Sequence, residues 1–160
     1  MPVADTSIVI ASDHGGVALK DDLCARLTDL GFHCTDVGPH NTESVDYPDY
    51  AAKVACAVAN GDFSRGILVC GSGIGMSIAA NKIAGIRAAV VQDVEHARLA
   101  GEHNNANVLC LGGRFTALNL AVDMVKSWLE AQCEGPRHHR RLNKIAMLEH
   151  VDSPDSIEEE

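Results

Sequence analysis

Residues 66–70, GILVC, run without a break into Gly71-Ser72-Gly73-Ile74-Gly75 and then into a helix-like stretch over 76–83. A short apolar run bounded by turn residues has the pattern of a strand buried on both faces. Three glycines between such a strand and a helix let the backbone turn tightly and approach a ligand closely. The rest of the chain repeats the theme. Apolar runs at 7–11, 32–37, 86–91 and 107–111 predict further strands. Apolar residues at 19, 23, 27 and 30 have helical spacing, so 17–30 reads as a helix that Gly31 stops. Helices are also expected over 48–59, with Pro48 in the first turn, over 94–102, over 115–131 and, after Gly135-Pro136, over 137–150.

Strands alternating with helices imply right-handed crossovers and a parallel sheet covered on both faces. The expected architecture is therefore a single three-layer α/β/α Rossmann-like domain with a five-stranded parallel sheet and a C-terminal helix. At 160 residues the chain suits one domain, expected over 1–150. Residues 151–160 read as an acidic, flexible tail, with five carboxylates in the last nine positions.

Composition removes several function classes. The chain is 46% hydrophobic, which is incompatible with intrinsic disorder. No apolar run approaches a membrane span, and the first residues lack the basic segment of a secretory signal, so a cytoplasmic location is expected. A net charge of −9 opposes nucleic-acid binding, which needs clustered Lys and Arg. The six cysteines contain no C-x-x-C and the eight histidines no H-E-x-x-H, so no metal site is expected and all six thiols should be free.

In open parallel sheets ligands bind outside the carboxyl ends of the strands. The residues to inspect are therefore Ser12, Asp13 and His14, Cys70 to Gly75, Gln92 and Asp93, and Gly112 to Arg114. The glycine loop with a helix behind it suits an anion, either a phosphate or an oxyanion formed during reaction. Its spacing, G-x-G-x-G followed by Met76, departs from the dinucleotide fingerprint G-x-G-x-x-G. Asp93 nevertheless stands where a ribose-binding acid would, which leaves a nucleotide-binding module as an alternative. Cys70 ends a buried strand facing a helix N-terminus, a setting that favours a thiolate. Asp13 can cap the following helix, and His14 can donate to a phosphate or a sugar hydroxyl. His103, near a helix end, suits general acid–base work. Arg137 and Arg141 are four apart on one helical face, as in an anion clamp or in a solvated face paired with the acidic tail.

Taken in order, these segments resemble type B ribose-5-phosphate isomerases, within the ribose/galactose-phosphate isomerase superfamily. The resemblance covers about 7–150. It is carried by Ser12-Asp13-His14, by Glu43-Ser44-Val45-Asp46-Tyr47-Pro48, and by Cys70 through Lys82. It continues in Gly85-Ile86-Arg87-Ala88, His103-Asn104 with Asn107, Leu111-Gly112-Gly113-Arg114, and Arg137-His138 with Arg141. It implies interconversion of D-ribose 5-phosphate and D-ribulose 5-phosphate through a cis-enediolate, with no cofactor. Cys70 would be the base. Ser72 and the backbone of Gly71, Gly73 and Gly75 would stabilise the enediolate. His103 would assist ring opening, with Asp13 and Asn104 on sugar oxygens. His14, Arg114, Arg137 and Arg141 would hold the phosphate, and Tyr47 would border the pocket. A homodimer or homotetramer with the active site shared across the dimer is implied as well. One branch of the family has Glu in place of Met76 and lacks the cysteine; Met cannot be a base, so Cys70 is the consistent choice. Ser72 replaces a Thr of some relatives, and Pro136 a Gly or charged residue. An isomerase of allose or galactose 6-phosphate remains the nearest alternative, and a subunit that only assembles is a further one.

Overall fold

The computed structural model describes residues 6–153, and within them the expected architecture is present. The strands are β1 (Ser7–Ser12), β2 (His33–Asp36), β3 (Arg65–Cys70), β4 (Ala88–Val90) and β5 (Val108–Gly112). The helices are α1 (Val17–Asp29), α2 (Tyr47–Ala59), α3 (Ile74–Ala80), α4 (Val94–Asn104), α5 (Leu118–Glu130) and α6 (Pro136–Leu148). All neighbouring strands pair in parallel, in the order β2-β1-β3-β5-β4. Apart from Asp152, the carboxylates of the acidic tail lie outside the described residues.

The central strands divide their side chains between two cores. Ile8, Ile10, Ile67, Val69, Leu109 and Leu111 pack with α1, α4 and α5. Val9, Ala11, Leu68, Cys70, Val108 and Cys110 pack with α2 and α3. This is the period-two alternation of a strand, here apolar on both faces because helices cover both. β1 sends its chain to β2 on one side, while β3 lies on the other, so the strand order reverses between β1 and β3. Such a reversal opens a crevice above the carboxyl ends of the two strands.

Several boundaries differ from expectation for local reasons. The stretch expected as a strand at 86–91 pairs only over Ala88–Val90, because β4 is an edge with β5 as its single neighbour. The long helix begins at Leu118 rather than 115, since Ala117 is extended and Phe115 is 76% exposed. α3 begins at Ile74, directly behind Gly73. Asp13 is not the N-cap of α1. That position belongs to Gly16, and Asp13 Oδ1 accepts the N–H groups of Gly15 (2.9 Å) and Gly16 (3.1 Å). It ties the turn before the helix rather than the helix itself.

One buried ion pair secures the crevice end of the sheet. Lys20, fully buried on α1, donates to Asp21 (2.6 Å) and to Asp36 at the end of β2. Asp36 Oδ1 also accepts the N–H of Gly38, whose carbonyl accepts the N–H of Ser12. Burial alone would lower the lysine pKa, but the hydrogen bonds to Asp21 and Asp36 outweigh it and raise Lys20 above its ordinary value. Removing the ammonium would take from Asp36 its buried cationic partner and leave the Gly38 N–H as the donor to its carboxylate. Lys20→Met is expected to lose about 2–3 kcal/mol in urea unfolding near neutral pH. Because the folded-state pKa is the higher one, this difference is complete below the ordinary lysine pKa and shrinks as pH rises through the folded value.

Candidate active site

Three strand ends build one wall. After β3, Gly73 is left-handed (φ 79°), and its N–H donates to Cys70 Sγ, 3.1 Å away. The next donor, Ile74 N–H, is taken by Ser72 Oγ at 3.3 Å, which leaves the Ser72 hydroxyl proton free to donate outward. Two N–H groups of the glycine loop are thus spent inside the loop. Gly73 must be glycine for two reasons: its φ, and the carbonyl carbon of Leu111 only 2.9 Å from where a Cβ would sit.

The neighbouring loops close on this turn. After β5, Gly113 N–H donates to Cys70 O (2.7 Å) and Arg114 N–H to Gly71 O (3.1 Å). The Arg114 guanidinium lies over Gly71, where a Cβ would come within 3.2 Å of it. After β1, Asp13 N–H donates to Val69 O, and Gly15 and Gly16 pass against the backbone of Gly71, Val69 and Gly113. From the β2–α2 connection, Val45 N–H donates to His14 Nδ1 (3.2 Å). With Nδ1 as acceptor, His14 carries its proton on Nε2 and offers it as a donor. Two residues on, the ring of Tyr47 packs on Gly75, where a Cβ would lie 2.7 Å from it. Asp13, His14, Tyr47, Cys70, Gly71, Ser72, Gly73, Gly75 and Arg114 therefore stand together. The pairs Gly15-Gly16 and Gly112-Gly113 were not singled out from the sequence as packing positions, although paired glycines after strands are a signal of close backbone approach.

The remaining candidates lie elsewhere. α4 runs back along the sheet and ends at Asn104, where Asn105 turns left-handed (φ 43°). β5 begins four residues later, at Val108, which is level with Ala88 and Gly66. Arg87 Nε ties this end by donating to the carbonyls of Asn104 (3.1 Å) and Asn105 (3.0 Å). His103 and Asn104 are thus at the amino end of the strands, whereas Cys70 is level with Gly112 at the carboxyl end. The four residue steps of β5 from Val108 to Gly112 span roughly 13 Å at the usual strand rise. Arg137 and Arg141 belong with His103, because α6 packs on α4 and the His138 ring stacks on the His103 ring at 4.4 Å. The candidate residues thus form two groups at opposite ends of one sheet.

Asp93 is engaged as the N-cap of α4: Oδ1 accepts His96 N–H at 2.8 Å, and Oδ2 meets His96 Nδ1 at 2.6 Å. These contacts hold its carboxyl below the ordinary aspartate value. Among the described residues no group of three or more His, Cys, Asp or Glu is placed to hold a metal ion. No helix among them is long and apolar enough to cross a membrane.

The sequence profile of the family described as Ribose/Galactose Isomerase matches residues 8–145. The chain belongs to this family. It is 46% identical over 142 residues to ribose-5-phosphate isomerase B of Escherichia coli, covering 89% of this chain and 95% of that one. It is similar to the structure of Clostridium thermocellum ribose-5-phosphate isomerase B, at 50% identity and a TM-score of 0.88, covering 90% of this chain and 97% of the other. It is also similar to ribose-5-phosphate isomerase B of Mycoplasma genitalium, whose structure contains bound ribulose-5-phosphate. That match is 44% identical, has a TM-score of 0.85, and covers 90% of this chain and 96% of the other.

The glycine requirement in the Cys70 loop is directly testable. Gly73→Ala combines an unfavourable φ with a backbone collision, so it should cost about 2–3 kcal/mol in chemical unfolding. Gly61→Ala is the control: Gly61 also has positive φ (82°) but no atom lies within 4 Å of its Cβ position. Its loss should be the smaller, about 1–2 kcal/mol.

Proposed function

We propose that the protein interconverts D-ribose 5-phosphate and D-ribulose 5-phosphate, with Cys70 as the base. The observation that carries this reading is the Cys70 sulfur, almost buried at the end of β3 and receiving the Gly73 N–H. A donor aimed at sulfur interacts more strongly with a thiolate than with a thiol. The names of the relatives and the ribulose-5-phosphate bound by one of them support the substrate.

In the forward direction the Cys70 thiolate takes the proton from C2. The C–H electrons form the C1–C2 double bond, and the carbonyl electrons move to O1, giving a cis-enediolate. The Cys70 thiol then returns its proton to C1, while the O2 proton passes to O1 and C2 becomes the carbonyl carbon. Negative charge peaks on the enediolate oxygens. The outward Ser72 hydroxyl and the backbone N–H groups of the loop that remain unspent serve that charge, as preorganised donors stabilise such intermediates most. Asp13 and Asn104 bind sugar hydroxyls, and His103 donates the proton that opens the furanose. His14, through Nε2–H, and Arg114, Arg137 and Arg141 hold the phosphate. That group is remote from the reacting carbons, so its binding energy orients the sugar without altering the chemistry. The pathway needs neither metal nor organic cofactor, and a cytoplasmic setting suits a chain with six free thiols and a sugar-phosphate substrate.

This assignment uses residues from both groups, and within one chain they are too far apart to touch one small sugar. We infer that a second copy supplies the missing half in a two-fold homodimer, alone or within a tetramer. Exposed apolar side chains support this. Ile74 and Ile78 on α3, Val90 on β4 and Ile145 and Leu148 on α6 are all solvent-exposed in the single chain. Val90, Ile145 and Leu148 border a groove of about 730 Å³ that reaches Asn104.

Purified protein in EDTA should convert ribose 5-phosphate to ribulose 5-phosphate, and Cys70→Ala should lose at least about a thousandfold in kcat with an unchanged unfolding midpoint. Turnover of the Cys70→Ala variant near the wild-type rate would remove the cysteine from the mechanism. Turnover by wild type of allose or galactose 6-phosphate alone would move the substrate to six-carbon sugars.

A further inference from the structure

His138 has no role in the mechanism above, yet it is the one buried residue of α6. Two contacts hold it. Its ring lies parallel to that of His103, with centroids 4.4 Å apart and 13° between planes. Its Nε2 accepts a hydrogen bond from Arg137 Nε at 3.3 Å. The acceptor nitrogen carries no proton, so the imidazole is neutral with its hydrogen on Nδ1. We propose that His138 is a positioning residue that serves two groups at once, as a neutral plate for the acid His103 and as the acceptor that aims the phosphate-binding Arg137.

The stack restricts the His103 ring to one plane. A neutral partner can lie face to face with a protonated imidazole, whereas two imidazolium rings at this distance repel. The charges around His138 favour its neutral form. From its own helix it faces Arg137, His139 and Arg141, and from α4 it faces His103. Burial first, and then these cationic neighbours, hold its pKa below the ordinary histidine value. The acids in the adjoining cleft, Glu102 from α4, Glu130 from α5 and Glu134 from the following loop, oppose this effect. The second contact leaves the two terminal nitrogens of Arg137 for a bidentate grip on phosphate while Nε is fixed from behind. Tight control of the guanidinium plane matters because phosphate binding places the sugar for both ring opening and proton transfer.

The roles assigned to His103 and Arg137 come from the proposed isomerase reading, so the test has one arm that does not use activity. Long-range proton–nitrogen NMR of the wild-type protein should find His138 Nε2 unprotonated and Nδ1 protonated at pH 7. A protonated Nε2 overturns the proposal whether or not the protein is an isomerase. The second arm separates plate from acceptor. His138→Phe keeps an aromatic plate but no acceptor; it should hold kcat near wild type and raise KM for ribose 5-phosphate about three- to tenfold. His138→Asn keeps an acceptor but no plate; it should hold KM and lower kcat about tenfold. Parallel changes in both constants for both variants, or no change in either, overturn the proposal. Inactive wild-type protein would instead defeat the isomerase reading, and the nitrogen assignment would then decide the inference alone.

Discussion

The Gly73 turn is the constraint on which the arrangement of the loop around Cys70 depends. Only a glycine holds that φ beside the Leu111 backbone, and the N–H of the same residue donates to Cys70 Sγ. The same turn starts α3, frees the Ser72 hydroxyl proton and sets Gly75 under the Tyr47 ring. β5 lies beside β3 in the sheet, so its own glycines can fold over the loop and bring the Arg114 guanidinium onto Gly71. The Cys70 sulfur thus sits in a loop whose shape is set by backbone geometry and does not depend on the rotamer of any long side chain. The buried Lys20–Asp36 pair secures the adjacent β1 and β2 ends against one another and so holds the connection that orients His14.

The polarity of the sheet has an opposite consequence for His103. A helix that follows a parallel strand must return along the sheet, so its far end lies at the amino ends of the strands. Residues at the start of such a helix can join the crevice, but His103 and Asn104 are at the end of α4. An acid so placed can act on a substrate held by Cys70 only if it belongs to another copy of the chain. α6 then has a reason to stand apart from the body. It brings Arg137, His138 and Arg141 to the His103 end and leaves Ile145, Met147 and Leu148 exposed.

Much of this arrangement was legible in the residues. Alternating strands and helices, fully apolar strand centres and glycines after strand ends specify a parallel three-layer sheet, and they place Cys70 at a loop mouth. Strand order was not legible, because the pattern that signals a buried strand does not say which strand lies beside it. The insertion of β5 between β3 and β4 therefore had no sequence signal, and neither did the shortening of β4 to an edge. Asp13 looked like a helix cap because aspartate before a helix is the usual pattern; Gly15 and Gly16 take its carboxylate instead. The separation of His103 from Cys70 follows from helix direction once the topology is known, whereas the His103–His138 stack depends on how α6 docks, which spacing within one helix does not encode.

The central claim is that each active site joins the Cys70 end of one chain to the His103 end of another. The direct measurement is the activity of a heterodimer made by co-expressing differently tagged Cys70→Ala and His103→Ala chains and purifying on both tags. One of its two sites would contain both mutations and the other neither. The account predicts that each variant alone is nearly inactive and that the heterodimer recovers about half of the wild-type rate per dimer. A heterodimer as inactive as its parents, or chains that do not co-purify, would contradict it.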